Sequence, residues 1–177
     1  MIINKTTFLR CGNRGMELEA LINDANNFYN ANKIAFIEKR PTPINVVTVK
    51  NGIITKAYFE KESTLDFNGI YKQKYIEFEA KSCNSKTSFN LNNLRPHQID
   101  HINKLVEQKA ISFLIIEFST LNKYFILKSE VLQSYLKNNT KKSIPLKFFV
   151  KNCNEIELGI KPYLNYLKVI EKEFYFE

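Results

Sequence analysis

Residues 75–81 read Tyr-Ile-Glu-Phe-Glu-Ala-Lys, with Glu77, Glu79 and Lys81 at alternate positions of one apolar run. In a β-strand successive side chains point to opposite faces, so Ile76, Phe78 and Ala80 share one face and the three charged residues the other. Upstream, Thr64-Leu65-Asp66 repeats the alternation. If the chain reverses near Lys72-Gln73, antiparallel pairing sets Asp66 opposite Glu79 and Thr64 opposite Lys81; a bulge near Asn68-Gly69 would shift that register. Two facing carboxylates repel unless a cation sits between them. Magnesium suits such a place, because it takes oxygen ligands, keeps several waters and is usually held by one or two carboxylates plus a substrate phosphate. A neighbouring lysine can stabilise charge developing on an attacked phosphodiester or position the attacking water. Taken alone, Glu-x-Lys on a strand is also the pattern of a solvated sheet face. Glu77 reads as that solvent-facing residue, since no partner for it is evident.

The surrounding pattern predicts the elements that must position these groups. Leu18, Leu21, Ile22, Ala25 and Tyr29 recur at helical spacing from about Arg14 to Asn30. A strand follows in Lys-Ile-Ala-Phe-Ile-Glu-Lys, interrupted by Pro41-Thr42-Pro43. Two β-rich runs are then joined by Asn51-Gly52, a strong hairpin signal. A strand pair over about 63–70 and 74–81 carries the acidic residues. Pro96 suits the first turn of a second helix, with Ile99, Ile102, Leu105 and Val106 as its apolar stripe. Strands at 111–118 and 123–128, a short helix over 129–137 and a C-terminal helical segment complete the reading. Helix, strands, helix, strands predicts an α/β sandwich around a mixed sheet, built as one domain over residues 1–177.

Composition narrows the chemistry. The chain has 177 residues, 44% of them hydrophobic, enough for one sizeable core. Twenty-six Lys and Arg against 18 Asp and Glu give a net charge of +8, which suits a polyanionic partner. The first ten residues lack the apolar stretch of a secretory signal, and the run at 113–118 is too short to span a bilayer. Three cysteines, none in a Cys-x-x-Cys pair, and two histidines argue against a structural zinc or a disulfide framework and favour a reducing cytoplasm. No P-loop pattern is present, which argues against nucleotide hydrolysis.

Asp66, twelve intervening residues and then Glu79-x-Lys81 resembles the signature of the PD-(D/E)xK nucleases. The flanking words Asn-Arg-Gly-Met-Glu-Leu-Glu, Lys-Arg-Pro-Thr-Pro, Thr-Lys-Ala-Tyr-Phe, Lys-Thr-Ser-Phe-Asn-Leu and His-Gln-Ile-Asp-His occur in an order that resembles the RecU family of Holliday junction resolvases, over nearly the whole chain. The resemblance implies a restriction-endonuclease-like α/β core with a central mixed sheet flanked by helices. It also implies a protruding β-hairpin stalk, here about residues 41–60. The implied activity is a magnesium-dependent endonuclease, with manganese as a substitute, that resolves four-way junctions by paired symmetric nicks as a homodimer. Recombinase and branch-migration proteins are implied partners, and a junction-binding module regulating them is the alternative function. Magnesium ligands carry over to Thr64, Asp66, Glu79 and Gln98, and the transition-state-stabilising lysine to Lys81. Glu19 matches a carboxylate that related nucleases sometimes use. Arg14, Lys39, Arg40, Lys50, Lys56, Lys72 and Lys74 are expected to contact DNA, with Lys61 also flanking the hairpin. Residues 1–13 stand where many relatives have a longer basic arm. Leu65 replaces an often polar residue and is expected to face away from the metal.

Overall fold

The computed structural model describes residues 14–60 and 64–174. The segment 1–13, the Arg14 side chain and Lys61 lie outside the described residues, so the expectations for the arm and for these two cations are not addressed by the structure. Helix α1 spans Arg14–Ala31 and buries Leu18, Ile22, Ala25 and Tyr29, the stripe its spacing predicts. Strand β1 (Ala35–Lys39) follows, then β2 (Ile44–Lys50) and β3 (Ile53–Phe59), then β4 (Phe67–Tyr71) and β5 (Lys74–Cys83). The short strand β6 (Ser88–Asn90) leads into α2 (Pro96–Glu107), β7 (Ile111–Phe118), β8 (Lys123–Lys128) and α3 (Ser129–Asn138). The chain closes with β9 (Ser143–Pro145), α4 (Leu146–Asn152), β10 (Asn154–Glu155) and α5 (Tyr166–Glu173).

Six strands form one mixed sheet in the order β1-β4-β5-β7-β8-β10. Only β5 and β7 run parallel, and the α2 crossover supplies the length such a connection needs. Every residue of β7 is buried, as befits a central strand covered on both faces. On one face α1 and α5 pack over Ile37, Phe67, Phe78, Phe113 and Ile126; on the other α2, α3 and α4 pack over Leu114, Ile116, Phe125 and Leu127. The first layer contains a cross-strand aromatic stack, Phe67 on Phe78 at 5.0 Å and Phe78 on Phe113 at 4.7 Å between ring centres. Each such contact is worth about 0.5–1.5 kcal/mol beyond area burial, and together they fix the middle of β5 against both neighbours.

The β4–β5 hairpin turns at Lys72-Gln73, both with positive φ, as a two-residue turn demands. Its ladder runs without a shift through Asn68 and Gly69, so the register is the expected one and no bulge displaces it. Gly69 has its own reason: a Cβ there would stand 2.0 Å from the carbonyl oxygen of Phe36 on β1. Asp66 and Thr64 precede β4 instead of lying within it, and Leu65 packs into the α2-side core.

Strands β2 and β3 pair only with each other among the described residues, so the Asn51-Gly52 hairpin is not an edge of the main sheet. Asn51 and Gly52 both adopt positive φ. Alternate pairs along its ladder are Ile44 with Phe59, Val46 with Ala57 and Val49 with Ile54, an apolar set; between them come Asn45 with Tyr58, Thr48 with Lys56 and Lys50 with Ile53. Cross-strand partners share a face, and with register shifts between Val46 and Thr48 and between Thr48 and Val49, one set of pairs is apolar while the other mixes Lys50 and Lys56 with Tyr58 and Ile53. Among the described residues, no helix is long and apolar enough to cross a membrane.

Candidate active site

The α2 side of the sheet carries three cross-strand rows near its β1–β5 edge. Pairing of β1 with β4 and of β4 with β5 aligns Phe36, Ile70 and Tyr75 in one row and Glu38, Asn68 and Glu77 in the next. One step beyond the ladder, Arg40, Asp66 and Glu79 form the third, tied by Arg40 N–H donating to the Asp66 carbonyl at 2.8 Å. The expected opposition of Asp66 and Glu79 is present. The Asp66 backbone N–H donates to Glu79 Oε2 at 3.2 Å, and the Ala80 N–H donates to Asp66 Oδ2 at 3.1 Å. The two carboxylates hold each other's strand, a reciprocal arrangement that survives where β4 has already ended.

Glu79 is fully buried, and Lys81 Nζ lies 2.6 Å from its Oε1. Burial first, then the Asp66 charge, push the Glu79 carboxyl up to about 7, with Lys81 opposing the shift. Gln98, in the first turn of α2, donates its amide Nε2 to Glu79 Oε1 at 2.7 Å while its Oε1 accepts from the Arg95 N–H at 3.1 Å. Gln98 is buried against the central carboxylate. Pro96 starts the helix, the Gln98 amide caps it, and the same amide meets β5. Thr64 Oγ1 accepts from Arg40 Nη1.

Glu77 is the clear correction. It is 1% exposed and accepts from Tyr75 OH at 2.6 Å, while Arg40 Nη2 lies 3.2 Å away and His101 Nε2 2.8 Å. It shares the face of Glu79, as strand parity requires, but that face is roofed by α2 and flanked by Arg40. The same bond and burial raise the Tyr75 phenol above its ordinary pKa, burial contributing most.

The remaining expected residues are dispersed. Glu19 pairs with Lys39, which points to the α1 side of the sheet. Lys50 and Lys56 stand exposed on the lysine-bearing side of the hairpin. Lys72 pairs with Glu171 of α5 at 2.6 Å, and Lys74 begins β5. Both sit at the far end of the hairpin from Glu79, with Lys74 about 17 Å from it at the usual rise per residue.

Asp66, Glu79, Thr64 and Gln98 offer oxygen atoms alone, the donor chemistry that magnesium or manganese takes. Among the described residues no three His, Cys, Asp or Glu side chains converge on one point. An ion here would therefore have two carboxylates and leave positions for water and phosphate. The raised Glu79 carboxyl supports the fit, since a buried carboxylate beside another is relieved by a cation.

The family model described as "RecU: Recombination protein U" matches residues 13–172. The chain belongs to the RecU family. A Staphylococcus aureus protein named "Holliday junction resolvase RecU" is 43% identical over 169 residues, covering 91% of this chain and 81% of that one. A Streptococcus mutans protein of the same name is 41% identical over 176 residues, covering 96% and 88%. Among solved structures, Hjc of Archaeoglobus fulgidus, described as a Holliday junction resolvase, matches with a TM-score of 0.47 and 9% identity, covering 77% of this chain and 92% of that one. In this RecU family member, strand parity and the hairpin turn signal that Asp66, Glu79 and Lys81 share a face, while their reading as a metal site comes from the family resemblance. Arg40, Tyr75 and His101 carried no local signal, because what gathers them is the packing of β1 and α2 against β5.

Proposed function

We propose that this chain is a Holliday junction resolvase, an endonuclease that hydrolyses phosphodiester bonds in four-way DNA junctions during recombination and repair. The observation that carries the reading is the meeting of Asp66, Lys81 and Gln98 on the buried carboxylate of Glu79 in a member of the RecU family. Asp66 and Glu79, with Thr64 and Gln98, would hold magnesium, or manganese in its place. Such an ion polarises the phosphate and lowers the pKa of bound water. Lys81, part-buried and within contact of Glu79, is placed to stabilise negative charge on the phosphate oxygens as they develop it. Gln98 Oε1, the atom that would face an ion, accepts from the Arg95 N–H, so engaging an ion would compete with that cap. The site's cluster of oxygen acceptors and one cation argues against a module that only binds junctions.

The hairpin is read as a stalk that enters the open centre of the junction. Its basic side, with Lys50 and Lys56, suits phosphates. Its apolar side leaves Val46, Val49, Ile54 and Phe59 exposed, and a contiguous exposed apolar face marks an interaction surface. We assign that side to a second copy of the chain, in a two-fold dimer. Action in the cytoplasm accords with Cys83 and Cys153, which are free thiols.

The test compares labelled four-way, duplex, flap and single-stranded DNA, each with magnesium or EDTA. Wild type should cut the junction in preference and only with the metal. Asp66→Asn and Glu79→Gln should lose cleavage while retaining junction binding, because phosphate affinity comes mainly from lysine and arginine. Wild-type cleavage by either variant would refute the ligand assignment.

A further inference from the structure

We propose that Glu77 is a positioning residue for the metal site: its buried carboxylate anchors Arg40 on one side and His101 on the other, and through them fixes Thr64 and Gln98. The inference rests on the metal-dependent reading of the site and assigns a role that neither the nuclease signature nor the family ligand set includes.

Geometry on both sides supports it. Arg40 uses its fork twice, Nη2 toward Glu77 and Tyr75 OH and Nη1 to Thr64 Oγ1. A planar guanidinium can hold two partners in fixed directions, which a lysine cannot. Arg40 also brackets the stalk. The chain leaves the core immediately after it and returns at Thr64–Asp66, where the Arg40 N–H meets the Asp66 carbonyl. On the other side, His101 lies three residues after Gln98, so both project from one face of α2. His101 Nε2 reaches Glu77, and Gln98 Nε2 reaches Glu79 two residues further along β5. A carboxylate only accepts, so the histidine presents its Nε2–H. The two neutral members of the candidate ligand set are thus held from a single buried group, itself on the same strand face as Glu79.

A simple structural brace would also bury an ion pair here, so the test must separate the two. Mn2+ affinity of the DNA-free full chain, measured by electron paramagnetic resonance, reads the site without turnover. Arg40→Lys keeps the charge facing Glu77 but lacks the second arm for Thr64, and should weaken Mn2+ on the order of tenfold. Arg40→Gln removes a cation. Through-space electrostatics alone would make it bind Mn2+ more tightly, whereas positioning makes it bind more weakly. Adding Thr64→Val, which deletes the ligand oxygen itself, should cost less in either Arg40 variant than it does in the wild-type background, because an unpositioned Thr64 contributes less. Glu77→Gln should weaken Mn2+ similarly; should it fail to fold, Arg40→Lys decides. Unchanged or tightened Mn2+ binding by folded Arg40 variants, or additive losses with Thr64→Val, would overturn the proposal. A chain that shows these couplings but leaves junctions uncut would instead refute the resolvase reading, and the two failures are distinct.

Discussion

At the scale of single residues, Glu79 is the least exposed acidic side chain among the described residues, and its titration is measurable. Its carboxyl is raised from 4.5 to about 7, burial contributing most and Asp66 next. Between those values the folded chain keeps a proton that the unfolded chain has released, so rising pH weakens the folded state across that window. The full contribution is on the order of 3 kcal/mol, complete by the time pH passes about 7. In EDTA, wild type should therefore lose thermal stability from pH 5 to pH 7.5, and Glu79→Gln should flatten that fall. Equal slopes in the two proteins would reject the raised carboxyl. A metal ion must displace the same proton, so affinity should climb with pH until about 7 and then level. This residue was legible because period-two alternation and a two-residue turn are local properties, and both survive folding unchanged. Glu77 had the same parity and the opposite reading, because its partners come from the end of β1 and from α2. Alternation states which face a side chain takes but not what will cover that face.

At the scale of elements, the hairpin is where local chemistry and tertiary placement part. Asn51-Gly52 announces the turn, and both residues adopt the positive φ that such turns require. Nothing in a β-rich run says whether its strands join a sheet or stand alone, since pairing is settled by distant strands. The short elements β6, β9, α4 and β10 escaped for a different reason. They span two to seven residues, too few for a period to repeat convincingly. Because β2 and β3 lie outside the six-stranded sheet and β3 is exposed along its whole length, the stalk contributes little to the core. Replacing residues 46–56 by a minimal turn removes Val46, Val49 and Ile54 from the face assigned to the second copy, so it should leave each subunit folded while loosening the dimer. It should also erase the preference for four-way over duplex DNA while magnesium-dependent nicking persists. A folded variant with undiminished junction selectivity would show that the hairpin does not read substrate shape.

At the scale of the whole molecule, the question is how one site per chain can resolve a junction. Two strands of like polarity must be cut to release two intact duplexes, and this chain brings together one Asp66–Glu79 pair. A closed two-fold dimer places two identical sites in related positions, and the commonest oligomers have that symmetry. The exposed apolar side of the stalk gives such a dimer a surface to bury, since an isolated two-stranded hairpin is marginal in water. The opposite, lysine-bearing side remains available to phosphates, so one hairpin can serve the partner and the substrate at once. Sedimentation at micromolar concentration should then give about twice the 20.8 kDa chain mass. A mixed dimer with one Asp66→Asn subunit should leave singly nicked junctions, because the intact site cuts its own strand and cannot reach the other. A chain that stays monomeric with and without DNA yet makes paired nicks at full rate would overturn the dimer, and with it the assignment of the apolar stalk face to a second copy.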